Sequence, residues 1–213
     1  MSEWSASQRY NAGPAPGGLG LVQDFLNTVA VPHYGCDLLE DLALAQEWAG
    51  SAVGVWSAQR GAPVAPPRLA EEDLPKLRAV RRSIARLVRR EKADGPIPNS
   101  ISACFALSDT GEVRLTPAGT GWRWLASALW GEILLSQQAD TWRRLKQCRN
   151  DPCGTTFYDR SKNNSGVWCN AKTCGNVANL RASRARRRQR EHAAAGSAVS
   201  SAPATGAAIP ARS

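Results

Sequence analysis

The sequence predicts a mainly α fold in two parts, and three observations carry that prediction. Apolar side chains recur at helical spacing along most of residues 19–140; one stretch near residue 105 alternates instead; and four cysteines stand close together near the C-terminus. Cys148, Cys153, Cys169 and Cys174 form two C-x-x-x-x-C pairs separated by fifteen residues, with an arginine-rich stretch immediately after. Each short pair closes a tight knuckle and the spacer brings the knuckles together, which is the plan of a structural zinc site. The expected architecture is therefore an N-terminal helical domain with one small β-hairpin, followed by a small four-cysteine zinc-finger module of short hairpin plus basic helix.

In the first part, Leu21, Val22, Phe25, Leu26 and Val29 fall on one face and predict a first helix. Asp37 followed by Glu40 has capping-box character, with Leu38, Leu42, Ala45, Ala49 and Trp48 as the apolar stripe of a second helix over about 38–50. Gly61 to Pro67 reads as a loop. Asp73 is placed to cap a third helix with Pro75 in its first turn, where a missing donor costs little; Leu74, Leu77, Val80, Ile84, Leu87 and Val88 then face inward. Its arginines, Arg78, Arg81, Arg82, Arg86, Arg89 and Arg90, are expected to form a solvated outer face.

Ala103 to Leu107 and Glu112 to Thr116 flank Ser-Asp-Thr-Gly and predict a hairpin turning at Asp109 to Gly111. A fourth helix, about Gly121 to Gln138, presents Trp124, Leu125, Ala128, Leu129, Glu132, Ile133 and Leu135. The expected divisions are a flexible segment at 1–18, a helical domain at 19–140, a zinc module at 141–191 and a disordered tail at 192–213. That tail is rich in Ala, Ser, Gly and Pro and buries too little to offset the entropy of ordering. Most of the eight tryptophans are expected in helix packing. Cys36 and Cys104 stand alone and are expected to be buried free thiols.

The first eighteen residues carry neither a basic start nor an apolar core, and the most hydrophobic stretch, Trp124 to Leu135, is too short to span a bilayer. A cytoplasmic location is expected, nucleoid-associated if the protein binds DNA, with no membrane partner. In a reducing compartment paired cysteines are metal ligands more often than disulfides. One structural Zn2+ on Cys148, Cys153, Cys169 and Cys174 is the expected cofactor. Four protein ligands fill a tetrahedral ion and leave no position for a water nucleophile, so no catalytic residues and no enzyme activity are expected. Four thiolates around a divalent ion carry a charge of −2, and Arg149 and Lys172, inside the knuckles, are placed to moderate it. Phe157, Tyr158 and Trp168 are expected to form the module's miniature core.

Charge is distributed unevenly. From Arg143 to Arg190 there are thirteen Lys or Arg against Asp151 and Asp159, a net of +11; the rest of the chain has fourteen basic and sixteen acidic side chains, a net of −2. A cluster of this kind acts on phosphates by releasing condensed counterions. Between the knuckles, Asp159 to Gly166 is a polar, turn-rich loop, and after Cys174 a helix is expected from Gly175-Asn176 to about Glu191. Candidate nucleic-acid contacts are Arg160, Lys162 and Asn163 in the loop and Arg181, Arg184, Arg186, Arg187 and Arg188 on the helix. Double-stranded DNA is the expected partner; RNA and an acidic protein surface are the alternatives left open.

The residues also carry a resemblance. Leu145-Lys146-Gln147-Cys148, Cys153-Gly154 with Phe157, Asp159-Arg160-Ser161-Lys162-Asn163, Trp168-Cys169, Cys174-Gly175-Asn176 and the arginine helix resemble the CGNR zinc finger of bacterial proteins. Those proteins commonly carry an N-terminal helical domain called ABATE, associated with stress-induced transcription regulation, and Asp24-Phe25-Leu26-Asn27-Thr28 is similar to its start. The resemblance implies zinc on the four cysteines and a DNA-binding regulatory role; the expected function is a transcription regulator whose N-terminal helical domain is the regulatory part, receiving a ligand or forming a homo-oligomer. Two departures stand out: Val177 occupies the place of the arginine that ends the name motif, and Gly166-Val167 stands where further basic residues are expected. Both imply weaker phosphate contact or weaker charge compensation beside the metal, and with it weaker binding or a changed sequence preference.

Overall fold

A computed structural model of the chain describes residues 4–31, 35–91, 101–150 and 153–200, with the side chains of 192–200 outside the description. His33, Asp151 and the expected tail beyond Ser200 lie outside it. The described part is mainly α, with six helices and two small two-stranded sheets. The helices are α1 (Ser5–Gln8), α2 (Leu19–Leu26), α3 (Leu42–Gln59), α4 (Leu74–Val88), α5 (Gly121–Gln138) and α6 (Asn176–Ser200). Strands β1 (Ala103–Leu107) and β2 (Val113–Pro117) pair antiparallel, as do β3 (Leu145–Gln147) and β4 (Thr156–Tyr158). Among the described residues no helix is long and apolar enough to cross a membrane.

α2 is the centre of the fold. All eight of its residues are buried, and α1, α3, α4, α5 and β4 pack around it. Trp48 and Trp56 of α3, Leu77 and Ile84 of α4 and Leu125 and Leu129 of α5 complete one apolar cluster. Burying side chains of this size contributes about 1.5–3 kcal/mol each. The carboxylates drawn inside are hydrogen-bonded: Asp24 accepts from the Ser7 N–H at 2.7 Å and from Trp48 Nε1 at 2.9 Å. Burial pushes the Asp24 carboxyl above its ordinary pKa, partly countered by these donors. Glu132 accepts from Trp56 Nε1 at 2.8 Å and pairs with Arg60 at 2.6 Å.

The helices fall close to where the periodicity places them, and the differences have local causes. The second helix begins later and runs longer than expected, because Asp41, not Asp37, caps it by accepting from the Ala43 and Leu44 N–H groups. Asp37 is instead engaged by Arg81, which also reaches Thr28 Oγ1 at 2.8 Å. Arg81 is thus a buried exception to the solvated arginine face. Asp73 does not cap α4; its carboxylate turns back to the Ala70 N–H at 3.1 Å. On α5, Leu135 is exposed rather than inward-facing.

Residues 4–18, expected to be flexible, are packed. Trp4, Ala6, Tyr10 and Ala15 are buried, and Gly20 leaves room for the Trp4 ring, which lies 2.8 Å from where a Cβ would stand. Cys36 and Cys104, expected to be buried, are exposed; every residue of β1 is exposed, Cys104 among them. The expected boundary near residue 140 is not a break in packing, since Trp142 and Leu145 belong to the helical core and Tyr158 packs against it. α6 continues nine residues past the expected Glu191 end, to Ser200.

Candidate metal centre

The first knuckle forms at the open end of the β3–β4 hairpin. The Cys148 N–H donates to the Thr155 carbonyl at 2.9 Å, continuing the ladder, and the Cys153 N–H turns back to the Asn150 carbonyl at 2.7 Å. Gly154, at φ +59°, makes the reversal into β4. The second knuckle is built by Asn170, whose Oδ1 accepts from the Lys172 and Thr173 N–H groups at 2.9 and 3.3 Å. The π-type turn Ala171–Gly175 follows and feeds directly into α6. Gly175 is held against the Trp168 ring, where an added Cβ would lie 3.1 Å from Cδ1, and Asn176 donates to the Lys172 carbonyl at 2.8 Å. The Cys174-Gly175-Asn176 run therefore has a local reason: ligand, close approach to the indole, and closure of the turn. A bond from the Arg149 N–H to the Val167 carbonyl at 3.0 Å ties the knuckles together.

These turns bring the four sulfurs within 4.8 Å of one another. Cys153 and Cys169 stand 3.5 Å apart and Cys169 and Cys174 3.6 Å apart. Tetrahedral Zn–S bonds of about 2.3 Å put sulfurs about 3.8 Å apart, so the donor set fits one zinc ion with all four positions taken. Phe157 and Trp168 pack on the cysteines as the miniature core; Tyr158 faces the helical core instead.

Sulfur crowding dominates the thiol electrostatics. Hydrogen bonding to Cys153 pushes the Cys148 thiol up to about 11, and the thiols of Cys148 and Cys169 in turn hold Cys153 far below its ordinary value. Contact with Cys148 and Cys153 drives Cys169 up. Deprotonating four crowded thiols together concentrates negative charge that a bound cation would offset. Compensation comes from the protein backbone: the Asn150 and Cys169 N–H groups point at Cys148, and Cys153 lies 3.0 Å from Thr155 Oγ1. Arg149 and Lys172, expected to moderate the charge, are exposed, and their backbone N–H groups serve the knuckles by donating to the Val167 carbonyl and to Asn170 Oδ1.

The loop between the knuckles is organised by a pair that sequence reasoning missed. Lys146 Nζ, on β3, donates to Asp159 Oδ2 at 2.7 Å, to the Asn164 carbonyl at 2.7 Å and to the Gly166 carbonyl at 3.0 Å. Asp159 is 3% exposed, and it also accepts from the Ser161 and Gly166 N–H groups at 2.9 and 2.7 Å. Burial by itself would raise its pKa, but Lys146 and the two N–H donors hold the carboxyl well below the usual carboxylate range. The signal for this turn was Asp159-Arg160-Ser161, in which an aspartate bonds its own backbone two residues on. Gly166 is required by the same carboxylate, because an added Cβ would lie 2.7 Å from Asp159 Oδ1. No basic side chain fits there.

The candidate nucleic-acid residues divide into three groups. Lys162 and Asn163 are exposed at the loop tip, and Arg184, Arg186 and Arg188 project from α6 into solvent. Arg181 donates to Asn150 Oδ1 at 3.0 Å and Arg187 pairs with Glu191 at 2.8 Å, both exposed. Arg160, though exposed, is tethered: it donates to the Pro14 carbonyl at 2.6 Å and lies over the Tyr158 ring. Val177 is 40% exposed in the first turn of α6 and lines no part of the metal site.

The chain matches no curated protein. Residues 144–187, which span both knuckles and the start of α6, match the family model of the CGNR zinc finger. With four thiols at tetrahedral spacing inside that segment, this part of the chain is a zinc-binding module similar to the CGNR zinc finger, holding one structural zinc ion.

Proposed function

We propose that the protein is a DNA-binding transcription regulator in which the zinc module aims α6 at a duplex and the helical domain is the regulatory part. The observation that carries this reading is the placement of Arg184, Arg186 and Arg188 on the exposed stretch 179–191 of a helix whose first turn is fixed by a metal knuckle. A rigid start with free cations beyond it suits a helix that enters a groove, where arginine meets phosphates and guanine edges. Lys162, a cation, and Asn163, an amide donor, on the loop braced by Asp159, supply a second edge for the phosphate backbone.

The N-terminal part fits an ABATE-like domain, and with it a bacterial, cytoplasmic setting. The Asp24-Phe25-Leu26-Asn27-Thr28 run that carries this likeness touches both the core and the zinc module, which gives the regulatory domain a direct mechanical hold on the DNA-reading part. A closed four-cysteine zinc leaves no position for substrate, so the reading is of a binder and not an enzyme.

Binding of the zinc-loaded protein to genomic duplex fragments, measured across salt concentrations, tests the proposal. Affinity should fall steeply with salt, and Arg184→Gln or Arg188→Gln should each lower the log–log slope by about one. Salt-independent binding, stronger binding to single-stranded RNA, or nuclease-resistant capture of an acidic protein would each overturn it.

A further inference from the structure

Strand β1 reads Ala103-Cys104-Phe105-Ala106-Leu107, without a charge, a proline or a bulge, and all five residues are exposed. Natural edge strands are ordinarily blunted by such features, because an open edge is a template for another strand. β1 pairs only with β2 among the described residues, so its other edge is open. The Ser108 N–H donates to the Glu112 carbonyl at 2.8 Å. Antiparallel ladders alternate, so residues 104 and 106 also bond towards β2, and the N–H and C=O groups of Phe105 and Leu107 face the open edge.

The side chains add an apolar face to that edge. Phe105 lies opposite Leu115 and Leu107 opposite Val113, so all four share one face of the hairpin. Leu115 rests on Gly131 of α5, 2.8 Å from where a Cβ would stand, and lines a small depression with Leu135. The rest of the face overhangs: Phe105 is 79%, Leu107 74% and Val113 67% exposed, and Leu135, which borders it beside Leu115, is 44% exposed. Scaled by ordinary residue areas, these four expose roughly 550 Å², at the upper end of the largest patch of a typical monomer and a substantial part of the roughly 800 Å² each partner buries in a standard interface.

We infer that this hairpin is a homodimer interface, in which β1 pairs antiparallel with β1 of a second copy across a twofold axis. A second copy is the occupant that fits both features at once. An antiparallel strand pair is self-complementary about a twofold, and each copy offers the same uncharged edge and the same apolar face. The result is a continuous four-stranded sheet of order β2-β1-β1-β2, whose outer strands carry the charged Arg114, paired with Glu112 just before the strand, that β1 lacks. The hairpin is anchored for this role: Ser127 of α5 holds both of its outer ends, donating to the Ser102 carbonyl at 2.6 Å and accepting from the Ala118 N–H at 3.1 Å. The inference stands apart from DNA binding.

Light scattering and sedimentation equilibrium of the full, zinc-loaded chain at tens of micromolar provide the test. The wild type should show the dimer mass. Phe105→Lys and Leu107→Lys should each shift dissociation at least tenfold towards monomer, with helical circular dichroism and zinc content unchanged because both side chains are exposed. Phe105→Pro, which removes an open-edge N–H, should do the same. A monomeric wild type would overturn the inference, and one whose melting temperature falls in Phe105→Lys would point to a segment of its own chain covering the face. Variants that stay dimeric would also overturn it, since the interface would then lie elsewhere.

Discussion

Asn27, just past the end of α2, exchanges two hydrogen bonds with the backbone of Thr156 in β4: the Thr156 N–H donates to Oδ1 at 2.8 Å and Nδ2 donates to the Thr156 carbonyl at 3.0 Å. Both residues are buried, so the side chain acts as a one-residue strand that closes the free edge of the zinc hairpin. Asn27→Ala leaves the buried Thr156 N–H without a partner and its carbonyl with only Gln23 Nε2, at 3.4 Å, at a cost of about 1–3 kcal/mol. Urea unfolding should record that loss while zinc stoichiometry stays at one per chain. A change below about 0.5 kcal/mol would mean that water replaces the amide at that edge.

Lys146→Met isolates Asp159 as a buried, unpaired carboxylate and should destabilise the protein by about 3–5 kcal/mol at neutral pH. The Asp159 pKa is lowered by folding, so its contribution is fully present above the unfolded value near 3.9 and is lost as pH falls through the folded value. The deficit of the variant should therefore narrow below about pH 4. Urea midpoints of both proteins from pH 7 to pH 3 check this.

Gly166→Arg restores a basic residue at a position where family likeness calls for one. It should destabilise the protein by about 1–3 kcal/mol, because the new Cβ meets the Asp159 carboxylate that Lys146 fixes in place. Thermal melting of Gly166→Ala against Gly166→Arg separates the Cβ clash from the added charge; comparable losses identify the clash.

Removing zinc with a chelator, or replacing Cys169 with Ser, should abolish stoichiometric metal binding and loosen the knuckles. The α2–α5 cluster contains none of the four cysteines and should stay folded. Hydrogen exchange should rise across 145–175 and change little in α3 and α5, and Trp168, packed on the sulfurs, should shift its fluorescence.

Arg160 and Arg184 should separate in a DNA titration. Arg160 is tied to the Pro14 carbonyl and to Tyr158, so Arg160→Ala should change the salt slope by much less than one, whereas Arg184→Ala should lower it by about one. Equal slope changes would show that Arg160 leaves its tether on binding.

The elements most legible in the sequence were those with local causes. α5 is found at its expected limits and β1 within its own, because a long apolar stripe and an alternating run beside a turn signal need no distant partner. The four cysteines were legible for the same reason, since short spacing alone forces each knuckle. What misled was any polar residue with more than one use. Asp37 and Asp73 each look like a helix cap, yet one is drawn to Arg81 and the other to the Ala70 N–H. Arg81 looks like its five arginine neighbours and differs only because Asp37 and Thr28 meet it inside.

By itself the sequence determined the helical class, the zinc ligands and the concentration of positive charge after them, all of which follow from periodicity, spacing and counting. Only the tertiary structure decided that residues 4–18 are packed, that Trp142, Leu145 and Tyr158 tie the zinc module to the helical core, and that Gly166 answers to Asp159. It also decided which cations remain free, leaving Arg184, Arg186 and Arg188 in solvent while Arg160 is held. The physical reason is the range of the forces. Backbone preference and chelate spacing act over a few residues, whereas hydrogen bonds such as Asn27 to Thr156 join groups far apart in the chain and exist only once the core has closed around them.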